Sequence, residues 1–158
     1  MGIRIIKSRT YVYIDNESFS SDLNDHYPRQ KYNNDVRYIT KIKGKDLIEK
    51  EFGQLANDDI VLTYERKEHI KERRKEDYSF VINNIEQTIN EYDYLLKDDS
   101  KKVIFVKKVI NSEYNNYLVI YLSLKDESKA NSIITGIKMN DDRVEKLIRN
   151  RKIIDKKM

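Results

Sequence analysis

Between Tyr78 and Tyr92 the apolar residues recur at three- and four-residue steps, and after residue 101 the spacing changes to that of strands. Tyr78, Val81, Ile82, Ile85, Ile89 and Tyr92 carry the first pattern, which predicts an amphipathic helix. Lys102–Ile110 (KVIFVKKVI) and Tyr117–Leu124 (YLVIYLSL) carry the second, with the polar stretch from Asn111 to Asn116 between them. That combination reads as a hairpin with a polar loop. A chain that changes period in this way has to cover its later strands with its earlier helices. The expected fold class is therefore α+β, with N-terminal helices packed on a C-terminal antiparallel β-meander.

The remaining elements follow from local signals. Ile3–Lys7 and Tyr11–Ile14 read as short strands, and residues 15–35, acidic and holding the single Pro, read as a loop. Val36–Ile42 reads as a strand, residues 45–52 as a short helix stopped at Gly53, and residues 59–63 as a brief apolar strand. Thr63 is a fitting N-cap for the segment that follows, with Glu65 in the first turn. Asn131–Lys138 (NSIITGIK) predicts a third late strand, Arg143–Asn150 a basic helix, and Ile153-Ile154 a small closing strand. No internal repeat or low-complexity tract interrupts this order. The 158 residues suit one hydrophobic core.

Several classes of chemistry are poorly supported. The chain has no Cys, which removes disulfides and thiolate chemistry and suits a reducing compartment. The four Gly stand far apart, at positions 2, 44, 53 and 136, so no phosphate-cradling loop can form from them. Only His26 and His69 supply imidazoles, and neither an HExxH pair nor a GxSxG elbow is present. No metal or other cofactor is expected. The start of the sequence holds no apolar run long enough for a signal peptide, and no stretch nears the roughly 20 apolar residues of a membrane span. A cytoplasmic location without membrane contact is the expectation.

Charge is distributed unevenly. The net charge is +4, but residues 65–75 hold six Lys/Arg against three Glu, and residues 143–158 hold seven Lys/Arg against two acids. If the fold joined these two segments they would form a phosphate-binding surface. Two ordinary solvated faces are the alternative. Within the first segment, Arg66, His69 and Arg73 stand at i, i+3 and i+7 and share one helix face. A neutral imidazole can accept a proton near pH 7, and guanidinium groups hold phosphate through forked hydrogen bonds. A lone His on a charged helix is more often merely solvated. His26, in the acidic loop, is read as a surface residue.

The stretch IVLTYERKEHIKERRKEDY, followed by NSIITGIK and RNRKIIDKK, resembles the phage-type nucleases of the barnase–EndoU–colicin–RelE assemblage, small α+β ribonuclease-like domains. The resemblance covers roughly residues 58–157. It implies a ribonuclease-like domain over 56–158, preceded by an N-terminal extension over 1–55 of short strands, an acidic loop and a short helix. It also implies a metal-independent endoribonuclease of phage, prophage or toxin type. In such a mechanism the 2′-hydroxyl of RNA attacks the adjacent phosphate. Carried over to this chain, His69 is the acid/base and Arg73 and Thr135 complete the catalytic set. Arg66, Arg74, Ser132 and Arg149 bind substrate. On an ideal strand Ser132 and Thr135 point to opposite faces, so both reach one site only through a bulge or twist. The sequence departs from the family pattern at Arg74, where a second His is usual, at Tyr92, where Pro is usual, and at Asp155, where Tyr is common. The implied partners are RNA, whether tRNA or another structured RNA, and a protein inhibitor or antitoxin. A non-catalytic nucleic-acid-binding module, or a protein-interaction factor derived from such a nuclease, is the competing reading.

Overall fold

The run KVIFVKKVI places Val103 and Phe105 on one side of a strand and Ile104 and Val106 on the other, and all four are fully buried. A strand apolar on both faces needs cover on both faces. The protein supplies it with a seven-stranded sheet between two helical layers. The computed structural model describes residues 35–110, 115–125 and 130–157. The elements in chain order are β1 (Val36–Lys41), α1 (Lys45–Phe52), β2 (Asp59–Thr63), α2 (Tyr64–Arg73), α3 (Tyr78–Asn90), β3 (Tyr94–Lys97), β4 (Lys102–Ile110), β5 (Asn115–Ser123), β6 (Asn131–Met139), α4 (Asp141–Arg149) and β7 (Lys152–Lys156).

The sheet order is β1-β2-β6-β5-β4-β3-β7. In its middle, β3 to β6 pair antiparallel with their sequence neighbours. β7 adds antiparallel to β3 at one edge. β1 and β2 form an antiparallel pair at the other edge, joined through a short parallel contact of Ile60 with Asn131 and Val61 with Ser132. The fold is thus mixed α+β, and the sheet extends beyond the four late strands. β1 and α1 belong to the same sandwich as the rest, because Ile39, Ile42 and Ile48 join the core that holds Phe105 and Ile120.

One face of the sheet carries α1, α2 and α3 through Ile48, Ile70, Val81, Ile85 and Ile89. The other carries α4, whose Val144 and Leu147 pack on Leu96, Ile104, Val106, Val119 and Met139. The basic helix expected near the C-terminus therefore covers a second core. Asn140 caps it, its side chain accepting from the Arg143 N–H at 2.9 Å. The helix anticipated through Tyr92 ends at Asn90, and the short strand β3 follows, where no strand was expected. Among the described residues no helix is long and apolar enough to cross a membrane. The strands read at residues 3–7 and 11–14, and nearly all of the loop over 15–35, lie outside the described residues.

Candidate active site

The position of the site is set by how β2 passes into α2. No loop separates them: Thr63 ends the strand and caps the helix, its hydroxyl accepting from the Arg66 N–H at 3.2 Å. The Tyr64 N–H donates to the Asp35 carbonyl at 2.7 Å and fixes the same corner from the β1 side. Beneath it, Asn131 is fully buried at the start of β6. Its side-chain amide donates to the carbonyls of Asn57 (2.8 Å) and Asp59 (3.1 Å) and accepts from the Lys125 N–H (3.0 Å). An amide satisfied on both ends inside the core fixes where β6 starts relative to β2. Asp59, also buried, accepts from the Lys41 ammonium at 2.6 Å.

Because β2 turns into α2 after Thr63, its pairing with β6 stops at Ser132, and no other strand among the described residues takes that side. α2 runs along the vacated edge. Between the two lies a cleft of about 230 Å³ lined by Arg66, His69, Ile70, Arg73 and Arg74 of the helix side and by Ile134 to Ile137 of the strand. Side chains alternate along a strand, so four consecutive residues can line one cleft only by presenting the strand's edge. The cleft floor therefore includes backbone of β6 that, among the described residues, has no neighbouring strand on that side.

The cleft wall on α2 is cationic. Ile70 is buried and anchors the helix, His69 and Arg74 are half-buried, and Arg66 and Arg73 are exposed. No acidic side chain lines the cleft. Among the described residues no ion pair engages Arg66, Arg73 or Arg74. Three guanidinium groups gathered on one concave surface, with no carboxylate partner among the described residues, offer the charge and forked donors that suit an anion. Among the described residues, no cluster of three or more His, Asp or Glu side chains is placed to hold a metal ion.

The structure thus brings His69, Arg66, Arg73, Arg74 and Thr135 to one cleft, and it separates two other candidates from them. Ser132 does not line the cleft. It is half-buried at the β2–β6 contact and pairs across to Ser123. A bulge lies between: Tyr121 pairs with Thr135 and Leu122 with Ile133, which leaves Ile134 as the extra residue. The bulge shifts the phase of the strand so that Ser132 and Thr135 share the face that carries α4. Arg149 is exposed at the end of α4, which leads into β7, and β5, β4 and β3 lie between β7 and β6. Arg149 does not line the cleft, and the two basic segments do not merge into one surface there. His26 lies outside the described residues.

Asp155 is also remote from the cleft. It sits in β7 and accepts the Tyr92 hydroxyl at 2.6 Å, with the Lys157 ammonium at 3.4 Å. The Tyr92 hydrogen bond, chiefly, holds the Asp155 carboxyl below its ordinary value, while burial and then Asp155 push the Tyr92 hydroxyl well above its own. The acid at this position therefore does not reach the cationic wall of α2. The cleft residues that sequence reasoning missed are Ile70, Ile134, Gly136 and Ile137. Ile70 was discoverable as the lone aliphatic residue of α2, whereas the others enter through a strand edge that no local pattern marks.

In comparisons with known proteins, no family model, curated protein or solved structure matches this chain.

Proposed function

We propose that the protein is a metal-independent endoribonuclease of the phage or toxin type, with its site in the cleft between α2 and β6. The observation that supports this reading best is the gathering of one imidazole and three guanidinium groups, with no acidic partner among the described residues, on one wall of a cleft whose other wall is the edge of β6 at Thr135. The resemblance of residues 58–157 to the barnase–EndoU–colicin–RelE assemblage points the same way, since His69 and Thr135, which it implies are catalytic, both line that cleft.

In this mechanism His69 removes the proton from a 2′-hydroxyl, and the oxygen attacks the adjacent phosphorus. Arg73 and the Thr135 hydroxyl neutralise the charge that develops on the phosphorane oxygens. The bond to the 5′-oxygen breaks, and that oxygen takes a proton from water or a neighbouring hydroxyl. The products are a 2′,3′-cyclic phosphate and a 5′-hydroxyl end. Arg66 and Arg74 hold the flanking phosphate. RNA alone carries the nucleophile, so DNA is not cut. A tRNA or another structured RNA with an accessible single-stranded segment is the proposed substrate. A protein inhibitor or antitoxin that covers the cleft is the proposed cellular counterpart.

The test is cleavage of total RNA in EDTA beside His69→Ala. The expected result is cyclic phosphate ends from the wild type and a rate about 10²–10⁴ lower from the variant. Equal cleavage by both proteins would end the proposal. A second reading, a nucleic-acid-binding module without turnover, is favoured by the presence of one imidazole where two proton transfers are needed. Binding with a steep salt dependence and no cleavage would select it. Capture of one stoichiometric protein partner without RNA affinity would instead select an interaction factor.

A further inference from the structure

We propose that a strip of the sheet beside α4 forms a second part of the same site, which guides the sugar-phosphate backbone of single-stranded RNA away from the cleft. This proposal rests on the reading of the cleft as an RNA site.

The strip is defined by register. Thr135 pairs with Tyr121, and in the next row of the same face Ser132 pairs with Ser123, which pairs with Lys102. The bulge at Ile134 aligns these rows; without it Ser132 would point at α3. α4 covers the upper part of this face, over Val119, Val106 and Met139. The rows of Tyr121 and Ser123 lie at the border of that cover, and their side chains are half-buried. Four hydroxyls thus stand in two adjacent cross-strand pairs, with the Lys102 ammonium at the end of one row.

Cationic groups bound the strip on the helix side. Burial raises the Tyr121 hydroxyl above the ordinary tyrosine value; the charge of Arg151 lowers it, that of Asp98 raises it and that of Arg143 lowers it. Arg151 is held by Asp98 at 3.0 Å. Arg143 is exposed in the first turn of α4. Thr135 belongs to both surfaces, because it lines the cleft and begins the strip. A phosphate seated on Arg66 and Arg74 therefore lies in the cleft that Thr135 also lines, and from Thr135 the hydroxyl rows lead across β5 to Ser123 and Lys102.

The chemistry fits an unpaired strand. Hydroxyls and scattered cations serve phosphates and 2′-hydroxyls, and an aromatic ring offers a stacking surface to a base. The cleft volume of about 230 Å³ falls below the roughly 300–1,000 Å³ of drug-sized pockets, so a longer strand must extend beyond it.

The experiment compares kcat/KM for a dinucleotide with that for an unstructured RNA of about a dozen nucleotides, a length that exceeds the cleft. The proteins are wild type, Lys102→Gln, Arg143→Gln and the double variant Ser123→Ala/Arg143→Gln, each checked for an unchanged melting temperature. The expected result is that the ratio of long to short substrate falls about tenfold in the double variant, the loss of about one charge-assisted hydrogen bond. Affinity for the long RNA, read by fluorescence anisotropy, should lose about 0.7 of its logarithmic salt slope for each cation removed. Ratios and salt slopes equal to wild type overturn the proposal while the ribonuclease reading stands. A wild type that cuts neither substrate but binds the long RNA with the same variant pattern retires the ribonuclease and keeps the path. A wild type that binds neither overturns both.

Discussion

Gly136 lies where β6 passes beneath α3, and replacing it with Ala places a methyl carbon 2.7 Å from Val81 Cγ1 and 3.0 Å from Ile120 Cδ1. Ordinary carbon contacts run at about 3.5–4.0 Å, so the overlap with Val81 approaches 1 Å. Val81 and Ile120 are both fully buried. The Ile120 contact is the end of a flexible side chain and can turn away. Val81 cannot: a β-branched residue in a helix has essentially one rotamer. The displacement must therefore be taken up between α3 and β6. Overpacking of this kind costs about 1–3 kcal/mol. At this chain length each kcal/mol shifts Tm by about 2–4 °C, so a mid-range cost lowers Tm by roughly 4–8 °C. Thermal unfolding followed by circular dichroism measures it. The diagnostic is the double variant with Val81→Ala, in which the clashing methyl is gone: the penalty for Gly136→Ala should shrink by about 1 kcal/mol or more relative to its value in the wild type. A Gly136→Ala protein that melts with the wild type, or a penalty indifferent to Val81, would refute the packing argument.

Four further outcomes follow from the same contacts. Asn131→Ala removes the donor shared by the Asn57 and Asp59 carbonyls inside the core, and should cost about 2–4 kcal/mol in chemical denaturation. Thr63→Ala removes the cap of α2; a stability loss of about 1 kcal/mol is expected, with weaker RNA binding because every helical cleft residue is carried by that turn. Arg66→Gln and Arg73→Gln should each weaken RNA affinity and flatten its salt dependence, as read by titration at several ionic strengths. Tyr92→Phe should destabilise the protein at neutral pH but not at strongly acid pH. The Asp155 carboxyl is held below its ordinary value by Tyr92, so its contribution exists above the unfolded carboxyl value and fades as pH falls through the folded one. The raised Tyr92 hydroxyl contributes below the ordinary tyrosine value and loses that contribution as pH rises past it. Urea midpoints across the pH range show whether the gap between the two proteins closes at both ends.

Much of the architecture is written in local patterns, and the misses have physical causes. The stripe from Tyr78 to Ile89 gives α3, and the Thr63 cap and the periodicity of α2 place His69 and its arginines on one face. Those signals are carried by neighbours in sequence, which is why they are readable. The β2–β6 contact depends on a single buried amide, Asn131, and on Asn131 and Ser132 meeting a strand some 70 residues earlier; nothing local announces it. β3 was missed because four residues are too few to show a period. The Ile134 bulge reverses the facing of everything on one side of it, so simple alternation assigns Ser132 and Thr135 to opposite faces and is wrong by one residue. Arg149 drew attention for its charge, yet its place is decided by where Val144 and Leu147 must be buried. The double-sided apolar character of Lys102–Ile110 did signal a second helical layer, and a reading of both faces of that strand would have found it.

The parallel contact between β2 and β6 consists of two residue pairs, and among the described residues it is the only strand pairing that holds the β1–β2 unit to the rest of the sheet. It is a seam, and the cleft straddles it: α2 belongs to one side and β6 to the other. A ligand gripped by the arginines and by the strand edge acts as a staple across that seam. Saturating the cleft should therefore slow hydrogen exchange in β1 and β2, whose residues do not line it, while the β4–β5 hairpin exchanges as before.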